Sequence, residues 1–194
     1  MFPQIRLFLS ATRFAMRQRG LRIGTGLVIK GGKWMRIGPR SVIGNHVEFH
    51  ANGKGTLNIG SDARVLTGVV IRCFKGKVEI GDHVSLNPYC VIYGDGGVTI
   101  GNEVRIATHT VIVAQNHNID DLSQPIRMQG NRARGIRIGN DVWIGANVTV
   151  LDGADIGDGC VIGAGSVVRG TIPPFSIAVG TPARVIRKRG EKPQ

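Results

Sequence analysis

The chain has 194 residues, of which 42% are hydrophobic, 20% charged and only 5% aromatic, with 29 glycines and 8 prolines. That suits one domain with its own core; the absence of a G-X-Y period excludes collagen, and the recurring valine, isoleucine and leucine exclude a disordered chain. The net charge of +12 is concentrated in residues 1–22, 113–137 and 184–192, which hold 14 of the 25 basic residues and 3 of the 13 acidic ones, so the bulk of the chain is nearly neutral and a broad nucleic-acid-binding face is excluded.

Residues 1–22 put positive charge after an apolar stretch that Arg6 interrupts, and no A-x-A-like site follows, which is the wrong order for a secretory signal. No run reaches transmembrane length. The spacing predicts an amphipathic helix over 3–19, with Ile5, Phe8, Leu9, Thr12 and Met16 on one side and Arg6, Arg13 and Arg17 on another. Such a helix packs on the end of its own domain or attaches peripherally to an anionic membrane. Cys73, Cys90 and Cys160 are odd in number and too scattered for a disulfide framework or C-x-x-C metal spacing, which points to a reducing compartment.

The next feature is a period of six. An aliphatic or aromatic residue recurs in groups of three: Ile37, Ile43, Phe49; Ile59, Val65, Ile71; Ile80, Leu86, Ile92; Ile100, Ile106, Ile112; Ile138, Ile144, Val150; Ile156, Ile162, Val168. In the last two groups glycine follows four times (Gly139, Gly145, Gly157, Gly163), and a small residue such as Ala154, Cys160 or Ser166 stands fourth. Six is neither the helical 3.6 nor the strand period of two, so the pattern is a repeat architecture. Group starts lie 22, 21, 20, 38 and 18 residues apart, leaving insertions of 4, 3, 2, 20 and 0 in the same corner. The expected fold is all-β: a three-sided parallel solenoid of about six coils, roughly 29 Å tall. The aliphatic residue points inward, the small fourth residue fits a narrow interior, and glycine serves the tight turns. Cys90 and Cys160 take the small inward position, a structural role.

This pattern resembles the hexapeptide-repeat acyltransferases, whose fold is a left-handed parallel β-helix. The resemblance covers residues 37–187 and is strongest in Gly139-Asn140-Asp141-Val142-Trp143-Ile144-Gly145, in Ile162-Gly163-Ala164-Gly165-Ser166-Val167-Val168, and in Gly180-Thr181-Pro182-Ala183-Arg184-Val185-Ile186. It is the branch of maltose, galactoside, xenobiotic and polysaccharide acetyltransferases that this succession is similar to. The resemblance divides the chain into an N-terminal amphipathic helix (1–22), a β-helix domain (23–187) with a projecting loop (113–137), and a basic tail (188–194).

The resemblance implies an acetyl-CoA-dependent transferase that needs no metal. A histidine at the start of the projecting loop is the family's general base, and His117 stands there. Its neutral imidazole can take the proton of an attacking hydroxyl and return it to the departing thiolate. Asp95, Asp120 and Asp121 are candidates to orient it, and His46, His50, His83 and His109 read as structural. For the acceptor, the family's asparagine one coil below corresponds by residue type to Asn87 and by register to Tyr89, with Asp95 nearby. The acidic sugar-binding residue of the maltose and galactoside enzymes has no counterpart in the arginine-rich start.

For the cofactor, the resemblance points to the backbone at Gly145 and Ala146 for the thioester, Ala164 for pantetheine, Arg184, Arg187 and Lys188 for adenine and phosphates, and Trp143 for a wall of the cleft. Arg169 stands where the family has a lysine contact. The family further implies a homotrimer with sites between subunits, a sugar acceptor in surface polysaccharide or lipopolysaccharide synthesis, no nucleic-acid partner, and a cytoplasmic location with peripheral membrane contact through the N-terminus. Alternatives are an amino-sugar or xenobiotic N-acetyltransferase, a hexapeptide-repeat carbonic anhydrase using His83, His109 and His117, and a non-catalytic trimeric scaffold.

Overall fold

A computed structural model describes residues 20–192, and they wind into a parallel β-solenoid with three faces. Face A stacks nine strands, opening with Arg22–Ile23 and ending with Ser176–Gly180 and Ala183–Lys188. Face B stacks seven, from Val28–Lys30 to Val167–Val168, and face C seven, from Met35–Ile37 to Thr171–Ile172. The chain visits A, B and C in turn, each strand lying parallel to the one a coil below. The final strand alone reverses, pairing antiparallel with Ser176–Gly180.

The six-residue ladder is the core. On face A, Ile43, Val65, Leu86, Ile106, Ile144 and Ile162 stack in register, each no more than 1% exposed. The small inward layer formed by Val142, Val148, Ala154, Cys160 and Ser166 is equally buried. The coils number seven rather than six. Ile23 and Ile29 extend the ladder below Ile43 and Phe49, while Ile172 and Ala178 extend it above Ile156 and Ile162. Ile172 follows Val168 by only four residues, so a corner shortened by two falls out of the six-residue phase. The insertions all lie at the B–C corner, as the spacing predicts. The expected helix falls on residues outside those described, apart from Gly20, Leu21 and Arg22, the last of which opens face A.

The role expected for the repeating glycine needs correction. Gly38, Gly44, Gly101, Gly139 and Gly145, each directly after a ladder aliphatic, are not in the left-handed region; that conformation falls two residues later, on Arg40, His46, Glu103, Asp141 and Asn147. The glycines are instead required by the coil above. A Cβ on Gly44 would sit 2.7 Å from the Thr67 nitrogen, and one on Gly145 2.6 Å from that of Ala164. Glycine serves close backbone approach, while the turn conformation is imposed on almost any residue type by the coils on either side.

A second ladder ties the C–A corners together. Asp82, Asn102, Asn140 and Asp158 each accept, through Oδ1, the backbone N–H at the same corner one coil below: Ser61 at 2.6 Å, then Asp82, Asn102 and Asn140 at 2.8 Å. These are the N–H groups that strand pairing leaves over, and each needs an acceptor.

All three cysteines are buried and unpaired. Burial pushes the Cys73 thiol up to about 12 and that of Cys90 to about 11, and it raises Cys160 as well. Unfolded thiols ionise near 9, so these groups favour the native state below that pH and the contribution fades as pH climbs from there through the folded values. An aromatic disulfide reagent at mildly alkaline pH should therefore leave the native protein untouched and titrate three thiols once denaturant is added.

The two glycine roles separate in one corner. Gly44→Ala should cost about 1–3 kcal/mol through overpacking, whereas His46→Gly, at a left-handed position, should change stability by no more than about 1 kcal/mol. Urea unfolding of both variants measures the difference.

Candidate active site

The projecting loop is an ordered arm. Asn116–His117 pairs antiparallel with Asn131–Arg132, His117 lying opposite Asn131. Beyond it, Asn118 Nδ2 donates to the Gln129 carbonyl at 2.9 Å, and Gln129 Nε2 donates to the carbonyls of Asp121 at 2.7 Å and Gln124 at 3.0 Å. The arm thus satisfies its polar groups internally and leaves its apolar ones outside: Ile119, Leu122, Ile126 and Met128 are all exposed, Leu122 at 97%. A surface of this kind gains by being covered.

His117 is exposed at the foot of this arm, and none of the three acidic candidates bonds to its ring. Asp121 accepts from the Ser123 N–H at 2.9 Å, the Ser123 hydroxyl at 2.6 Å and Gln124 Nε2 at 2.6 Å, and these bonds hold its carboxyl below the usual range. Asp120 faces Arg132 at 4.0 Å. Asp95 accepts the Lys75 N–H at 3.2 Å in the B–C corner.

The cofactor candidates gather at a different corner. Ala146 and Ala164 occupy the A–B turn of successive coils, where the Asx ladder is reduced to one rung in the lowest coils, the Thr25 N–H donating to Asn45 Oδ1 at 2.8 Å. At the C–A corner the N–H of Asn102 meets the Asn140 amide oxygen; here the residue above Ala146 is Ala164, with no oxygen to offer. Among the described residues the N–H groups of Thr108, Ala146 and Ala164 reach no protein acceptor. A column of unpaired amide donors along an open corner is suited to an extended ligand bearing carbonyls.

Beneath that column lies an aromatic pair. Tyr89 and His109 stack with ring centroids 5.2 Å apart at 14°. The Tyr89 ring also lies over Gly68, whose added Cβ would come within 2.5 Å of its Cδ1. His109 is the residue that sequence reasoning passed over: it is the third residue after Ile106, as Tyr89 is after Leu86, so the repeat phase held the signal. Asn87 lies in the same corner, but its Nδ2 donates to the Ile106 carbonyl at 2.9 Å, a bond that staples adjacent coils. Trp143 stands on face A between Arg105 and Val161 and is 58% exposed. Gly145 is buried against the coil above.

The basic candidates are spread out. The last strand runs back across the top of face A, so Arg184, paired with Val179, lies at the A–B end. Arg187 and Lys188, opposite Ile177 and Ser176, lie about 7–10 Å further along, with Arg187 Nη1 donating to the Glu191 carbonyl at 2.6 Å and Lys188 Nζ to the Pro174 carbonyl at 3.1 Å. Arg169 is exposed at the end of face B nearest the B–C corner. Ala146, Ala164, Tyr89, Asn87 and Arg184 therefore share the A–B corner, with Trp143 on the adjoining face A, whereas His117, Asp95 and Arg169 belong to the B–C corner.

Within one chain these groups stay apart. His117 is three residues beyond the buried Ala114, a reach of at most about 11 Å. The A–B and B–C corners are separated by the width of face B, about 20 Å for six extended residues. Face B changes character along the solenoid: its lower coils turn out Lys30, Glu48, His50 and Arg72, with Arg72 paired to Glu48 at 2.7 Å, whereas above them Val91, Val111, Val113, Leu151 and Val167 point outward, half-buried; face C turns out Arg36, Asn58, Glu79, Thr99, Arg137 and Asp155.

Comparison with known proteins defines the class. Residues 135–170 match the family described as bacterial transferase hexapeptide (six repeats). The chain is 37% identical over 142 residues to WbbJ of Escherichia coli, whose name is that of a lipopolysaccharide biosynthesis O-acetyl transferase, with 69% of this chain and 72% of that protein covered. It is 41% identical over 148 residues to a probable acetyltransferase of Mycobacterium tuberculosis, covering 76% of this chain but only 49% of that protein, so the chain spans about half the length of that relative. The fold is shared with an N-acyltransferase of Bacillus cereus solved with dTDP and 3-hydroxybutyryl-CoA, at a TM-score of 0.65 and 18% identity over 92% of this chain and 88% of that one. The chain belongs to the hexapeptide-repeat acyltransferase family, and its solenoid is that family's left-handed β-helix.

The missing rung of the A–B corner can be rebuilt. Ala164→Asn should place an oxygen above the Ala146 N–H, adding about 0.5–1.5 kcal/mol of stability and slowing hydrogen exchange at Ala146. Denaturant titration and amide-resolved exchange read these two effects.

Proposed function

We propose that the protein is an acetyl-CoA-dependent O-acetyltransferase that modifies a sugar hydroxyl in surface polysaccharide or lipopolysaccharide synthesis. It would act as a homotrimer whose sites lie between neighbouring subunits. The observation that carries this reading is the placement of unpaired amides and of His117 at opposite edges of one face, on coils where its outward residues are largely aliphatic. Three prisms joined through face B would bring the A–B corner of one subunit to the arm of the next and cover the arm's apolar residues.

The chemistry follows from those groups. With the thioester lying along the column of amides, neutral His117 accepts the proton of the sugar hydroxyl while its oxygen forms a bond to the acyl carbon. The Ala146 N–H is placed to stabilise the resulting oxyanion. Collapse breaks the carbon–sulfur bond, and the imidazolium returns its proton to the thiolate of CoA. Tyr89 and His109, stacked just below, form a surface for the acceptor ring. Arg184 at the corner, with Arg187, Lys188 and Arg169 further out, supplies cations for the cofactor phosphates.

Likeness to WbbJ supports O- over N-transfer, and parallel assays on hydroxyl and amine acceptors separate the two. The carbonic anhydrase alternative needs His83, His109 and His117 around one metal. His83 lies at the C–A corner, across the prism from face B, so association through that face gathers only the other two. Among the described residues no helix is long and apolar enough to cross a membrane; a cytoplasmic site with peripheral contact through residues 1–22 is our reading of their basic composition.

His117→Ala should lower thiol release by about 10²–10⁴-fold while leaving assembly and CoA binding intact. The intersubunit site has a sharper test. Trimers mixed from equal amounts of His117→Ala and Ala164→Asn chains should recover about a quarter of wild-type activity, the share of interfaces with both halves intact. A mixture as inactive as its parents would place the site within one chain.

A further inference from the structure

Face C carries two clefts that the proposed reaction does not use. The upper one, about 460 Å³, lies at the foot of the arm between Arg134, Arg137, Thr99 and Asp155. The lower one, about 220 Å³, lies on the first coils between Trp34, Lys33, Arg36, Lys77, Asn58 and Glu79. They are in line: Arg36, Asn58, Glu79, Thr99, Arg137 and Asp155 are register partners on consecutive strands, a row about 24 Å long. Beside the upper half of that row stand Gly97, Gly135 and Gly153, which have no side chains to fill the trough.

Both clefts have built walls. Trp34 closes a short 3-10 turn, Gly32–Trp34, and its indole lies against Gly53, where an added Cβ would come within 2.9 Å of the ring. Gly53 has a φ of 91°, so glycine is favoured there on both counts. In the upper cleft the stem of Arg134 crosses Gly153 in the same way, 3.3 Å from the position of a Cβ. The carboxylates along the row are already engaged: Glu79 accepts from Asn58 Nδ2 at 2.9 and 3.1 Å, and Asp155 pairs with Arg137 at 2.9 Å. Among the described residues the side-chain nitrogens of Lys33, Arg36, Lys77 and Arg134 have no carboxylate within 4.0 Å; the Lys33 ammonium lies over the Trp34 ring, 4.8 Å from its centroid, and Asp152 accepts the Arg134 backbone N–H at 2.8 Å.

We propose that face C is a binding groove for an acidic oligosaccharide chain, a ring of which displaces the Lys33 ammonium from Trp34 and stacks there, whose acid groups Lys33, Arg36, Lys77 and Arg134 hold by charge, and which leads toward the arm bearing His117. This deepens the reading above and rests on it for the groove's purpose: the acceptor is a charged polymer rather than a free monosaccharide. A concave, polar trough with one aromatic ring suits a saccharide chain, since rings stack on indole while hydroxyls and acid groups find donors.

The test uses oligogalacturonates of graded length and the fluorescence of the full-length protein carrying Trp143→Phe, which leaves Trp34 as the sole tryptophan. The hexasaccharide should quench Trp34 and bind about tenfold more tightly than the disaccharide. Arg36→Ala with Lys77→Ala should weaken both ligands, and Arg134→Ala only the longer. The proposal is overturned by the absence of quenching at every length, by affinity independent of length, by equal binding of neutral maltohexaose, or by quenching with phosphatidylglycerol vesicles alone. Thiol release from acetyl-CoA with a short acceptor is measured on the wild type alongside. Transfer to that acceptor without binding on face C would remove the groove and spare the acetyltransferase reading, whereas binding on face C with no transfer to any saccharide would do the reverse.

Discussion

Most backbone N–H groups of a coil bond to a carbonyl of the neighbouring coil, but at each corner one is left over. Along the C–A edge the solution is a side chain: Asp82, Asn102, Asn140 and Asp158 each reach down to the amide below. Along the A–B edge Asn45 does the same for Thr25 in the lowest coils, but higher up the slot holds Thr108, Ala146 and Ala164, and the amides stay open. The binding surface thus arises by omission. A corner built to the same geometry as its neighbours, but without the oxygen that would close it, presents donors at the spacing of the coils. Because the scaffold around them is close-packed and hydrogen-bonded, those donors are held in place before any ligand arrives.

The same regularity divides the outside of the molecule into surfaces with different uses. Residues flanking the inward ladder point outward, and on the upper coils of face B they are largely aliphatic while on face C they are charged and polar. Face B has the cofactor corner on one edge and the histidine arm on the other. Chain reach keeps those edges apart within one prism, so self-association through that face is a geometric route to a complete site. The arm is consistent with this: its polar groups are bonded to one another through Gln129 and Asp121, and its apolar side chains point away from its own coil.

Some features escaped sequence reasoning for definable reasons. Ile172 escapes the pattern because a corner shortened by two residues breaks the phase, and Ile23 and Ile29 because eight residues, not six, separate Ile29 from Ile37. The glycine after each ladder residue looked like a turn glycine, yet its constraint is the backbone of the next coil, a contact between residues about twenty positions apart that local spacing does not express. His109 resembled an ordinary loop histidine until its ring was found on Tyr89. The orientation of His117 by a carboxylate did not emerge: Asp120, Asp121 and Asp95 are near it in sequence or coil, but their bonds go elsewhere.

What the residues alone determined was the period, and with it the inward ladder, the three-sided coil, the corner that takes insertions and the arm that carries His117. Those follow from local rules, because a six-residue repeat has only one way to bury the same position each time. Which corner keeps open amides, which face is apolar, and how far the arm lies from the cofactor edge were decided only when the coils stacked. These properties depend on vertical neighbours one full turn away, and variable insertions of 4, 3, 2 and 20 residues hide that pairing from any fixed spacing read along the chain.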